Sequence, residues 1–191
     1  MKSFLVATCA AVLLTAPLTS FALFGGDKDP DKEREKIQEM RSDILAKLYA
    51  EKPSAKNEIK TAKGYAVFSS VGINVFLVST ERGDGILRDH SSGKDTYMKM
   101  FSAGGGIGMG VKDFSAVFIF TTEKALQDFQ TEGWDFAAKA DASAESDGKG
   151  VGTEAAVTMV PGTIIYQLTA AGLALQATLQ GTKFWTNVDL N

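Results

Sequence analysis

The chain has 191 residues, with 20 basic and 23 acidic side chains, a formal charge of −3 and 45% hydrophobic residues. That length suits one domain with a real core, and the mildly acidic balance argues against nucleic acid as the main partner. The single cysteine, Cys9, falls in an N-terminal segment expected to be removed. Thiol catalysis, disulfides and zinc–thiolate sites are therefore excluded from the remainder.

Lys2, the apolar run from Phe4 to Leu14 and the small residues at Ser20 and Ala22 have the layout of a secretory signal peptide. Residues 1–22 are expected to be cleaved and the product exported to the periplasm. The apolar run is short for a membrane span, which needs about 20 residues. Residues 23–53 follow as a leader and an amphipathic helix. Asp29 suits an N-cap and Pro30 the first helical position, while Asp31 and Glu33 favour the positive end of the helix dipole. Ile37, Met40, Ile44 and Leu48 recur at helical spacing, with Leu45 beside them. Pro53 ends this helix, and Ser54 is placed to cap a second, shorter one over about residues 55–62.

Residues 54–191 read as one β-rich domain. "YAVFSSV", "INVFLVST", "GILRDH", "DTYMKMF", "FSAVFIFTT", "TIIYQLTA", "LALQATLQ" and "TKFWTNV" are short and rich in β-branched or aromatic residues. One helix interrupts them, opened by Thr122 and Glu123 and buried through Ala125, Leu126 and Phe129. In Asp135–Ser146 small and polar residues alternate, which favours a strand, while the alanine content favours a helix; the strand is preferred. Ser146–Gly152 reads as a loop. The expected class is α+β, mainly β: an antiparallel sheet or barrel-like body with an N-terminal amphipathic helix and one or two further packed helices.

"SAGGGIGMGV" (Ser102–Val111) invites a phosphate-loop reading, and its spacing removes it. No GxxxxGK[ST] is present, and no GxGxxG opens a helix. Gly104, Gly106, Gly108 and Gly110 lie two apart, so on one strand they share a bare face. Interior glycine weakens a strand. The four are expected to serve close packing, with a ligand or a partner's strand on that face as the other readings.

No catalytic constellation is legible, and neither a cofactor nor a metal is expected. His90 is followed by Ser91 and Ser92, but no GxSxG elbow exposes a nucleophile; it reads as a solvated turn histidine. HExxH, Cys/His clusters and EF-hand spacing are absent. Asp84, Asp89, Asp95 and Asp113 sit near expected turns, where aspartate ordinarily bonds its own backbone. Two surfaces remain as candidates for binding. The helix stripe either docks on the β body or lies on a membrane. Its polar face carries Lys32, Arg34, Lys36, Arg41 and Lys47 against Glu33, Glu35, Glu39 and Asp43, and no Phe or Trp lies on its apolar side, unlike a basic membrane-surface helix. Lys94, Lys99 and Lys112 hold an anionic head group if they converge, and are ordinary solvated lysines if they do not.

"AKGYAVFSSVG", "GDGILRD", "SGKDTYMKMFSAGGGIGMGVKDFSAVFIF", "DFQTEGWDFAAKADASA" and "IIYQLTAAGLALQATLQGTKFW", in that order, resemble the bacterial branch of the SYLF family over about Ser54 to Asn191. The resemblance implies a mostly β, non-catalytic domain that binds phospholipids, notably phosphoinositides or phosphatidic acid. In eukaryotic members it also implies actin binding, with lipid association through an N-terminal amphipathic helix and basic residues. Ile37 to Leu48 stands in the comparable place, and its mixed charge departs from that pattern. An exported bacterial protein does not meet cytoskeletal actin. The expected partner is thus a phospholipid or membrane surface of the cell envelope. The alternative is a structural role, with an envelope protein docked on the glycine-faced strand.

Overall fold

A computed structural model describes residues 29–75, 78–105, 110–135, 158–169, 172–173 and 182–191. The signal-peptide segment, Gly106 and Gly108, the loop at 146–152 and most of the 135–146 and 173–180 segments lie outside the described residues.

Asp29 caps α1 (Pro30–Glu51) with its carboxylate, which accepts from the Asp31 N–H at 3.1 Å. Lys52 ends the helix just before Pro53. Ser54 precedes α2 (Ala55–Thr61), but its hydroxyl donates to Glu58 Oε1 at 2.9 Å instead of accepting from the helix backbone. Thr122 caps α3 (Glu123–Glu132) by accepting from Ala125 N–H at 3.3 Å, and Gly133 leaves it at φ +65°.

The strands are β1 (Gly64–Val75), β2 (Val78–Asp89), β3 (Asp95–Gly105), β4 (Gly110–Phe120), β5 (Trp134–Asp135), β6 (Thr158–Val160), β7 (Thr163–Thr169), β8 (Gly172–Leu173) and β9 (Thr182–Thr186). Among the described residues they form one antiparallel sheet in the order β5-β9-β3-β2-β1-β4-β7-β6, with β8 on β7. The expected α+β, mainly β class is what the chain adopts, as an open sheet in its described part.

Two expectations about strand limits are corrected. Gly72 and Gly83 fall between the expected strands, yet they, like Gly85, lie inside the 12-residue strands β1 and β2. At Gly85 the reason is close approach: a Cβ there would fall on the Phe68 ring, its partner in the β1–β2 register. Asp84 is likewise inside β2, and Asp113 inside β4, instead of in turns.

The pleat sends alternate residues to opposite faces. On the inner face Phe68, Phe118 and Phe184 meet Phe129 of α3, with ring centroids 4.7 to 6.1 Å apart. On the outer face Val67, Val117, Ile119, Tyr166 and Leu168 are covered by Ile44 and Leu48 of α1 and by Ala55 and Ile59 of α2. Ile37 continues the seam onto Ile86, Tyr97 and Leu190. The sheet is thus sandwiched between α1 with α2 on one side and α3 on the other.

Candidate functional site

The apolar stripe of α1 answers the docking alternative. Ile37, Ile44 and Leu48 are buried against the sheet, and Met40 and Leu45 pack partly buried beside them. With α1 docked, these five residues pack on the protein's own sheet. A second line fixes the docking. Arg34, Gln38 and Arg41 sit at i, i+4 and i+7, on one flank of the stripe. Arg34 Nε donates to the Leu190 carbonyl at 2.9 Å, and Gln38 Nε2 to the Tyr97 hydroxyl at 2.9 Å. Arg41 Nη1 reaches both Asp95 oxygens at 3.1 Å. Asp95 also takes Arg88, with Nε at 2.7 Å and Nη2 at 2.9 Å. Asp95 therefore serves two guanidinium groups, where a turn aspartate bonding its own backbone was expected. The sequence signal was present in the charges of α1, which were read only for their sum.

The three candidate lysines do not converge. Lys94 lies in the exposed turn after β2, and its carbonyl accepts from the Asp89 N–H at 3.1 Å. Lys99 lies five residues further on, about 17 Å at the rise of a strand. The Lys112 backbone is paired with Gly72, on the other side of β1 from β2. A three-lysine head-group site is corrected accordingly.

The glycine face is corrected as well. Gly104 lies in β3 and pairs with Ser79, while Gly110 opens β4 and pairs with Asn74. β2 and β1 separate these strands in the sheet. The four glycines do not share one strand face, because Gly104 is in β3 and Gly110 in β4, with two strands between them.

What the register does assemble is a patch that no contiguous stretch spells out. Beyond the edge of α1, two rows cross the outer face. Val71, Arg82, Phe101 and Lys183 form one, and Ser69, Asp84, Lys99 and Trp185 the other. Val71 is 61% exposed and Trp185 43%, and Val188 in the turn after β9 is 80% exposed. The Arg82 guanidinium stands 6.0 Å from the centroid of the Phe101 ring. Lys99 Nζ lies 3.5 Å from Asp189 Oδ2. The patch thus combines exposed apolar side chains with three basic ones.

His90 sits on the opposite end of β2 from this patch. Its Nδ1 lies 3.0 Å from the Ala62 carbonyl and its ring meets Tyr65 edge-on at 5.5 Å. Its neighbour Asp89 is occupied by Ser92 and Ser91, whose hydroxyls donate at 2.6 and 2.8 Å. Those bonds, the one from Ser92 foremost, hold its carboxyl down at about 2. Such a carboxylate is a poor proton acceptor at neutral pH. Among the described residues no three His, Cys, Asp or Glu side chains come together as a metal set, and no helix is long and apolar enough to cross a membrane.

No family model matches the chain. Beta cell expansion factor A of Aeromonas veronii is 34% identical to it over 163 residues, which take in 85% of this chain and 60% of that protein. The chain thus spans about 60% of the length of the curated relative it matches.

Proposed function

We propose that the protein is a non-catalytic phospholipid-binding protein of the bacterial cell envelope, held peripherally at a membrane surface and of SYLF type. The observation that carries this reading is the outer patch. Trp185, Val71 and Val188 are exposed beside Arg82, Lys99 and Lys183. An aromatic ring with a polar tip, and long basic side chains with apolar stems, suit the boundary between head groups and acyl chains. The signal-peptide layout of residues 1–22 brings such a protein to the envelope. The docked stripe of α1 is not needed for this contact. The glycine-strand interface of the alternative reading finds no support, because Gly104 and Gly110 stand on different strands.

Sedimentation of the protein with neutral and anionic vesicles tests the reading. Binding is expected to strengthen with anionic lipid and to weaken as salt rises. Lys99→Ala is expected to lower vesicle affinity about fivefold, the equivalent of roughly 1 kcal/mol for one basic side chain near an anionic surface. Trp185→Ala is expected to weaken binding to both vesicle types. Absence of binding to either vesicle at low salt overturns the proposal.

A further inference from the structure

Where the outer patch meets α1, a groove of about 590 Å³ opens between the N-terminal half of the helix and strands β1 and β2. That volume lies within the range of small-molecule sites, roughly 300–1,000 Å³. Ile37, Met40 and Val71 supply apolar surface to it. Lys36 and Arg82 bring cations to its walls, and Glu33 and Asp84 bring carboxylates. Lys32 and Asp29 add one more charge of each sign and pair with each other at 3.6 Å. The lining therefore carries equal numbers of positive and negative groups.

From this balance the geometry points to a zwitterionic glycerophospholipid with an amine head group as the occupant, an assignment that rests on the phospholipid reading above. A ligand of net negative charge brings its anion toward three carboxylates, and a cation meets three basic groups. A phosphate held by Lys36 and Arg82, with an ammonium directed to Asp84, satisfies both signs at once. A carboxylate has about four lone-pair sites, so Asp84 accepts an ammonium in addition to its existing interaction. Ile37, Met40 and Val71 then take the first part of an acyl chain. Val71 and Arg82 belong to the groove and to the membrane-facing patch alike. A lipid lying in the bilayer boundary thus reaches the groove without leaving that boundary.

The test is a titration of the protein with dihexanoylphosphatidylethanolamine below its micellar concentration, followed by amide chemical shifts. Saturable shifts are expected at Ser69–Val71 and Arg82–Asp84. Dihexanoylphosphatidylglycerol is expected to bind about fivefold more weakly, for the one cationic contact it lacks. Phosphoethanolamine without chains is expected not to saturate over the same range. Val71→Trp fills the groove from an exposed position and is expected to abolish the saturable shifts, with the melting temperature retained. Lys36→Glu, on the exposed face of α1, is expected to weaken binding about fivefold. Equal affinity for the two lipids, equal affinity for phosphoethanolamine, or undiminished binding by Val71→Trp overturns the assignment. Failure of the membrane reading is seen separately, as loss of vesicle sedimentation by the unaltered protein.

Discussion

At the scale of single residues, the clearest case is Gly85. Phe68 is fully buried and locked among Phe118, Phe129 and Phe184, so it cannot move aside for a Cβ placed on Gly85. Gly85→Ala is expected to lower stability by about 1–3 kcal/mol, the usual cost of overpacking, read as the shift in a denaturant midpoint. A midpoint equal to that of the parent would mean that the ring has room. Asp89 gives a second, pH-dependent prediction. Its carboxyl sits near 2 in the folded protein, below its ordinary 3.8, because Ser92 and Ser91 bond the charged form. A depressed carboxylate stabilises the fold above the unfolded value and loses that contribution as pH falls through the folded one. The protein is therefore expected to lose stability between about pH 4 and pH 2. Asp89→Asn should flatten that limb of the profile by lowering melting at neutral pH, with melting at the acid end little changed. An unchanged acid limb in the variant would remove Asp89 from the explanation.

At the scale of elements, α1 is held by two kinds of contact in register. The apolar line Ile37, Met40, Ile44 and Leu48 covers the sheet, and the polar line Arg34, Gln38 and Arg41 ties its flank to Leu190, Tyr97 and Asp95. Asp95 is 16% exposed and shared by two arginines, so removing it leaves two guanidinium groups facing each other with no counter-charge. Asp95→Ala is expected to cost about 1.5–3 kcal/mol, the scale of a charged hydrogen bond, and to speed hydrogen exchange in α1 before the rest of the sheet. Uniform exchange across α1 and β1 would show instead that helix and sheet open together. α2 has its own tie, since the Tyr166 hydroxyl donates to Glu58 Oε2 at 2.7 Å. Burial first, and then that bond, hold the phenol above its ordinary range.

At the scale of the molecule, deleting residues 23–52 is not a clean way to remove a membrane helix. The deletion strips the cover from Val67, Ile86, Val117 and Ile119, all fully buried. The shortened chain is expected to self-associate, as measured by light scattering, because a contiguous apolar sheet face is then exposed. A monomer with a cooperative melt would show that the sheet is stable without α1.

Sequence alone determined whatever depends on neighbours along the chain. The caps at Asp29 and Thr122, the proline at the start of α1 and the apolar stripe were legible because helix ends and periodicity are local. The β-rich character of residues 64–120 was legible from composition and turn residues for the same reason. Tertiary structure decided the rest. Gly72 and Gly83 looked like strand breaks because the groups they make room for, Glu81 beside Gly72 and Met100 beside Gly83, stand on another strand. The run Ser102–Val111 looked like one strand because nothing within it records that β2 and β1 come between its two ends. The outer patch was illegible for a related reason. Arg82, Phe101 and Lys183 are neighbours only through the hydrogen-bond register of three strands, and register is fixed by long-range pairing and burial.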